Sequence, residues 1–114
     1  MGHGHCSVCR KACGSIFVAW AAAPLAGFRW IRGEDRAASF KVPDAELFTQ
    51  VFCRHCGGKG PRLLPEHDSV VLPAGSMDGP PGRAVDAHIY VASKAPWDQI
   101  IDGMPKFEER PTRR

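Results

Sequence analysis

Phe52-Cys53-Arg54-His55-Cys56-Gly57-Gly58 is the stretch on which the fold of this chain depends. Two thiolates separated by two residues can both reach one tetrahedral zinc ion. The glycines that follow allow the positive-φ turn that directs backbone N–H groups towards the sulfur atoms. The sequence therefore predicts zinc at Cys53 and Cys56, with further ligands supplied from elsewhere.

A second Cys-x-x-Cys pair lies near the start of the chain, at Cys6 and Cys9. Two such pairs in one short chain indicate a shared zinc site or paired sites. The residues alone favour one structural zinc held by four thiolates, those of Cys6, Cys9, Cys53 and Cys56.

Three other side chains near the first pair are further candidate ligands: His3, His5 and Cys13. The two histidines stand beside glycines in a start that is equally typical of exposed residues. A cysteine at position 13 is more typical of a small buried thiol than of a ligand.

The length of 114 residues predicts a single small domain, which we place at residues 1–107, followed by a flexible basic tail at 108–114. A core of this size is marginal unless something staples it, so a structural metal would be useful. Five cysteines would leave one thiol outside a disulfide framework, and no Asn is present to accept a glycan. These features favour a cytoplasmic protein with reduced thiols.

Charge and hydropathy exclude two classes of partner. The apolar run from Ile16 to Phe28 is too short for a membrane span and is broken by Pro24 and Gly27. The net charge of +3 comes partly from the last few residues, and no basic face with interleaved aromatics appears in the body. We therefore expect neither a membrane nor a nucleic acid as a partner.

Short strand-like runs separated by turn residues predict an all-β, loop-rich fold with an antiparallel meander and short helical turns. Tyr90 and Trp97 could line a pocket, but aromatics in strand and turn segments are more typical of the core, where we predict them. The strand predictions are residues 15–20, 28–32, 37–42, 47–52, 62–64, 69–73 and 88–91, and the helical turns are 10–13 and 95–101.

Five sequence blocks resemble, in order, the glutathione-dependent formaldehyde-activating enzymes and their centromere protein V relatives, whose fold is a zinc-containing β-tent. The blocks span almost the whole chain: His5-Cys6-Ser7-Val8-Cys9-Arg10-Lys11-Ala12-Cys13-Gly14, Phe28-Arg29-Trp30 with Gly33-Glu34-Asp35, Phe52-Cys53-Arg54-His55-Cys56-Gly57, Val71-Leu72-Pro73-Ala74-Gly75-Ser76-Met77-Asp78, and Ala87-His88-Ile89-Tyr90-Val91-Ala92-Ser93-Lys94-Ala95-Pro96-Trp97.

The resemblance implies two zinc ions. A structural ion would take Cys53 and Cys56 together with an N-terminal Cys-x-Cys hairpin, and the sequence begins after the place where that hairpin would lie. A catalytic ion would take a Cys-x-Cys-x-x-Cys whose last two cysteines match Cys6 and Cys9, whereas Gly4 stands in place of the first. Strands left uncovered by the missing hairpin would form an exposed edge, which predicts a homo-oligomer.

The implied activity is that of a carbon–sulfur lyase. Zinc at Cys6 and Cys9 would bind glutathione or a similar small thiol and present its thiolate to formaldehyde or another small aldehyde. Arg10 and Lys11 would attract the carboxylates of the glutathione. The alternative is a non-catalytic, zinc-stabilised binding module of the same fold, because a fold alone does not determine a function.

Overall fold

The computed structural model describes residues 1–43 and 49–110. These residues form mostly short strands with one helix and several 3-10 turns, which confirms the predicted all-β class. The elements are β1 (Gly2–Gly4), α1 (Ser7–Cys13), β2 (Val18–Pro24), β3 (Ala37–Lys41), β4 (Thr49–Cys53), β5 (Arg62–Leu64), β6 (Ser69–Pro73) and β7 (His88–Ile89). No helix in the described ranges is long and apolar enough to cross a membrane.

The chain divides into two compact units. The first contains Met1–Trp20 and Met77–Arg114, and the second contains Ala21–Ser76. In the first unit, β1 pairs antiparallel with β2 and parallel with β7. The parallel pair departs from the predicted antiparallel meander. Strands so far apart in sequence are not joined by a hairpin, so their direction is not constrained by a tight turn.

The indole of Trp20 lies against one face of β1, the face that carries Gly2 and Gly4. A Cβ atom added at Gly2 would lie 2.8 Å from Cζ2 of Trp20, closer than packed atoms allow. On the other face, the ring of His3 stacks on Phe17 with the centroids 3.9 Å apart. The two faces of β1 therefore carry an aromatic contact each, one made possible by glycine and one made by histidine.

In the second unit, β3 and β4 form an antiparallel pair with a register from Ala37↔Cys53 to Lys41↔Thr49. A separate sheet contains the strand order β5-β6-β2, with β5 at its edge. Val70 on the inner strand β6 is 1% exposed. These elements confirm the strand predictions for residues 37–42, 62–64 and 69–73. The prediction for 47–52 is confirmed from Thr49 onwards, and its first two residues lie outside the described ranges.

The predicted strand at residues 28–32 is wrong. A 3-10 turn at Leu25–Gly27 precedes it, and the residues that follow pair with no described strand. The side chain of Ile31 is 86% exposed. Alternating apolar residues form a strand only where a neighbouring strand is available to pair with, and none of the described strands pairs with this segment.

The segment after β7 also differs from the prediction. Tyr90 takes a φ of 58°, which ends the strand two residues early and leads into a 3-10 turn at Val91–Ser93. Residues 95–101 make a turn in which the Asp98 N–H donates to the Ala95 carbonyl at 3.0 Å, without a helix. Trp97, predicted in the core, is 74% exposed.

The predicted tail at 108–114 is described as far as Arg110. The backbone N–H of Tyr90 donates to the carbonyl of Glu109 at 3.0 Å, and Nε of Arg110 donates to the Tyr90 hydroxyl at 3.1 Å. Residues 108–110 are therefore hydrogen-bonded to the segment after β7.

Candidate functional site

The first cysteine pair lies at the start of α1. Cys6 immediately precedes the helix and Cys9 lies in its first turn, and the Arg10 N–H donates to the Cys6 carbonyl at 2.9 Å. Residues three apart around a helical turn are neighbours on its surface. Both thiols are half-buried. The arrangement suits two ligands of one ion.

The predicted substrate-binding residues divide between two roles. The guanidinium of Arg10 donates from Nη2 and Nε to the carbonyl of Ser93, at 3.0 and 3.3 Å. This contact ties α1 to the turn that follows β7. Lys11 is exposed and leaves its ammonium on the surface.

Gly4, two residues before the first pair, leaves room for a Cβ atom. A Cβ atom added at Gly4 would meet Cδ1 and Nε1 of Trp20 at 3.7 and 3.8 Å, which is ordinary van der Waals contact. The Nε1 atom is buried without a hydrogen-bond partner in the described part of the chain. A Cβ atom therefore fits at the position where the resemblance expects a third cysteine, and it would lie 3.8 Å from this indole nitrogen.

Two buried histidines form the centre of the first unit. His5 is 0% exposed and His88 is 3% exposed, and Nε2 of His5 lies 2.9 Å from Nδ1 of His88. Nε2 of His88 lies 2.9 Å from a carboxylate oxygen of Asp102 and therefore carries a proton, which it donates. In a neutral His88 ring, Nδ1 is then an acceptor, and Nε2 of His5 is the donor.

A carboxylate stands at each end of this pair. The hydrogen bonds run from His5 through His88 to Asp102, and we call these three residues with Asp98 the histidine chain. Nδ1 of His5 faces Asp98 Oδ2 at 3.5 Å, and neither atom has a hydrogen-bond partner among the described residues, so Asp98 would bond to His5 only if that ring were protonated. Burial and the neighbouring His88 lower the pKa of His5, whereas Asp98 opposes the shift. The hydrogen bond from His88, followed by that from the Met104 N–H, lowers the pKa of Asp102. This histidine chain fixes the backbone that leads directly into Cys6.

Sequence reasoning missed most of the histidine chain. It named His3 and His5 as candidate ligands, and did not single out His88, Asp98 or Asp102. His5 and His88 are 83 residues apart, and no local pattern links them. The only available signal was a histidine within an otherwise apolar strand run.

The second cysteine pair forms a tight knuckle at the end of β4. The N–H of His55 donates to the Cys53 sulfur at 3.3 Å, and the N–H of Gly58 donates to the Cys56 sulfur at 3.4 Å. Gly57 has a φ of 79°, as predicted from its glycine. The backbone N–H groups of Cys56 and His55 lower the pKa of the Cys53 thiol. The knuckle is therefore shaped to hold thiolates.

The donor chemistry of both pairs fits zinc, which binds soft thiolates in tetrahedral sites. Within residues 1–43 and 49–110, no group of three or more His, Cys, Asp or Glu side chains is placed to hold a metal ion. Each pair thus supplies half a site, and the predicted ligand roles of Cys6, Cys9, Cys53 and Cys56 stay predictions.

Comparison with known protein families gives a match that covers most of the chain. The family model for the glutathione-dependent formaldehyde-activating enzyme matches residues 1–93, a range that includes both cysteine pairs and His88. None of the curated proteins matches the chain significantly.

Proposed function

The chain belongs to the glutathione-dependent formaldehyde-activating enzyme family, and on this premise we propose that it joins glutathione, or a similar small thiol, to formaldehyde or another small aldehyde. The thiol sulfur bonds to the carbonyl carbon, the π electron pair moves to oxygen, and the thiol proton ends on that oxygen. With glutathione and formaldehyde the product is S-hydroxymethylglutathione. The reverse reaction breaks the carbon–sulfur bond, which makes the activity that of a carbon–sulfur lyase.

The observation that carries this proposal is the family match across the first cysteine pair. Cys6 precedes α1 and Cys9 lies in its first turn, and this short spacing would let both thiols hold one zinc ion. Zinc bound there would lower the pKa of an incoming thiol, so that more of it is present as the nucleophilic thiolate.

Residues around the pair have separate tasks. The exposed ammonium of Lys11 attracts a carboxylate of glutathione. Arg10 holds the helix against the Ser93 carbonyl, so its contribution is mainly to position α1. The buried His5 and His88 rings fix the strand that precedes Cys6. Together these contacts keep the two thiols in place while substrate binds from solvent.

The experiment is NMR exchange spectroscopy with ¹³C-formaldehyde and glutathione. It measures the rate of exchange, because the amount of adduct does not distinguish the catalysed from the uncatalysed reaction. Zinc-loaded protein should speed the exchange between the free aldehyde and its thiol adduct. We expect Cys6→Ser to reduce that acceleration by more than about 100-fold. Mutating even a residue that only hydrogen-bonds to a metal ligand lowers metal affinity or activity by about 10–100-fold. Ser7→Ala changes the same turn without touching a thiol, and should retain the activity.

The alternative is a zinc-stabilised binding module. The observation that favours it is that the described residues place no third ligand beside Cys6 and Cys9. A site closed by four protein ligands would have no position for a substrate thiol, and two thiolates alone fall short of the three protein ligands of a catalytic zinc. Metal-loaded protein that leaves the exchange rate unchanged would support this alternative and reject the enzyme.

A further inference from the structure

The segment that follows β7 lies alongside the first cysteine pair, and two contacts hold it there. Nη2 of Arg10 donates to the Ser93 carbonyl at 3.0 Å, and Oδ2 of Asp98 faces Nδ1 of His5 at 3.5 Å. The contacts occur in opposite order along the two segments, and the stretches that they bracket, residues 5–10 and 93–98, are equal in length. Residues 94–97 therefore run beside residues 6–9 in the opposite direction.

Lys94 is the cation of this bracketed segment. Its part-buried ammonium donates to the Asp98 carbonyl at 2.9 Å. The charge lies close to the residue before Cys6: burial lowers the pKa of His5 most, His88 follows, and Lys94 adds to the shift. None of the ion pairs among the described residues involves Lys94. An ammonium has three N–H donors, so two of them are available to a ligand.

We propose that Lys94 binds the carbonyl oxygen of the aldehyde and stabilises the negative charge that develops there, an inference that rests on the proposed function at Cys6 and Cys9. As the thiolate sulfur bonds to the carbonyl carbon, the π electron pair moves to oxygen, and the ammonium donates a hydrogen bond to that oxygen. The oxygen then takes a proton from solvent, which balances the proton that the thiol released to solvent. Lys94 keeps its own proton throughout.

The two lysines near the first pair differ in their surroundings, and the difference assigns their roles. Lys11 is exposed on α1, so its mobile ammonium suits a carboxylate of glutathione, far from the reacting sulfur. Lys94 is part-buried and held by the Asp98 carbonyl. A charge that is already fixed and partly shielded from water stabilises a developing oxyanion more than a mobile, solvated charge does. Lys94 therefore suits the reacting carbonyl group.

The first test is the exchange rate of the zinc-loaded chain with two thiols, glutathione and 2-mercaptoethanol, which has no carboxylate. Lys94→Met removes the charge and keeps the length of the side chain. We expect the acceleration to fall at least about tenfold with both thiols, and KM for the thiol to stay unchanged, because one oxyanion donor is typically worth about 10²–10³ in kcat. A loss confined to glutathione would mean that Lys94 binds a carboxylate of the thiol, and would overturn the proposal.

Three further variants are the controls for Lys94→Met. Lys11→Met should raise KM for glutathione and leave the reaction of 2-mercaptoethanol unchanged. Lys59→Met, which alters an exposed lysine of the second unit, should leave both reactions unchanged. Lys94→Arg keeps a positive charge that can donate to the Asp98 carbonyl, so it should retain more activity than Lys94→Met. Urea denaturation checks that each variant folds.

A binding measurement tests Lys94 without any reaction. S-carboxymethylglutathione carries anionic oxygens near the carbon attached to sulfur, whereas S-ethylglutathione has a neutral group of similar length. Calorimetry should show that the native chain binds the charged analogue at least about threefold more tightly, and that Lys94→Met loses this preference. Equal affinities of the native chain for both analogues would overturn the proposal. A preference that depends on Lys94, in a chain that does not accelerate the exchange, would support the role of Lys94 in binding an oxyanion and reject the proposed aldehyde reaction.

Discussion

The two Cys-x-x-Cys pairs share a spacing but lie in opposite surroundings. Cys6 and Cys9 stand at the start of a helix, half-buried, next to a fully buried histidine. Cys53 and Cys56 stand in an exposed turn, where backbone N–H groups contact the sulfurs. The first pair is held by side chains from distant parts of the sequence, and the second by the backbone of its own turn.

This difference shows that the motif alone does not determine what a pair can do. A knuckle made by local backbone can bind metal wherever its turn is placed. A pair at the start of a helix depends on the packing that holds the helix. Changes to side chains should therefore damage the first pair most, and changes to backbone conformation the second.

The largest expected effect is that of His88→Ala. It leaves Nε2 of His5 without its partner and removes one of the two donors to the Asp102 carboxylate, and it opens a cavity in the first unit. We expect the free energy of unfolding to fall by about 3 kcal/mol, as measured by urea denaturation. The exposed His67→Ala should change it by less than about 0.5 kcal/mol. Equal losses from both variants would mean that the histidine chain does not support the first pair.

The next effect is that of Gly57→Ala at the second pair. Gly57 has a φ of 79° and no atom within 4 Å of an added Cβ, so the cost is purely conformational. A non-glycine residue in this region costs about 1–2 kcal/mol. Urea denaturation should show that loss, and cobalt titration should show weaker binding at the knuckle. Gly103→Ala is the control, because Gly103 has neither a positive φ nor a close contact.

Gly4→Cys should make the first cysteine pair a stronger zinc ligand set than the second, because it adds a third thiol to the first pair. The added Cβ fits at 3.7 Å from Trp20, and the thiol can accept the unpartnered indole N–H. We expect zinc affinity at the first pair to rise by at least about tenfold, which equals about 1.4 kcal/mol. Competition with a chromophoric chelator measures it.

Gly2→Cys is the matched control on the same face of β1. Its Cβ would lie 2.8 Å from the Trp20 ring, so this variant should be destabilised and should not gain affinity. An affinity gain in both variants would show that any added thiol suffices, whatever its position.

The smallest effect is a pH dependence confined to the first pair's surroundings. Burial, followed by the neighbouring His88, lowers the pKa of His3, and Asp102 opposes the shift. The unfolded chain therefore takes up a proton at His3 at a higher pH than the folded chain. The free energy of unfolding is therefore highest above pH 6.5, the ordinary pKa of histidine, and decreases as the pH falls below that value. Urea denaturation at pH 7.5 and 5.5 measures the decline, and His3→Gln should reduce it.

Local sequence signals predicted the local structure. The glycine after Cys56 was expected to take a positive φ, and it does. The apolar run that became β6 was bounded by turn residues, and it forms a strand. In both cases the physical cause lies within a few residues, where spacing and residue type are sufficient evidence.

Features that depend on distant partners were not predictable in this way. The alternation at residues 28–32 indicated a strand, but no described strand pairs with it and Ile31 faces solvent. The bond between His5 and His88 joins residues 83 positions apart. Trp97 was predicted to lie in the core because aromatic residues are usually buried. The turn that contains Trp97 leaves its side chain 74% exposed.

The division of the chain into two units has a consequence for biosynthesis. The second unit is one continuous segment, Ala21–Ser76, whereas the first combines Met1–Trp20 with Met77–Arg114. A ribosome releases the chain from its N-terminus, so the knuckle at Cys53 can form while later residues are still being added. The strand β1 must wait for β7, and the loop between them costs entropy to close. Cys6 and Cys9 thus emerge before the knuckle but reach their final environment after it, and until then they are two accessible thiols on a nascent chain.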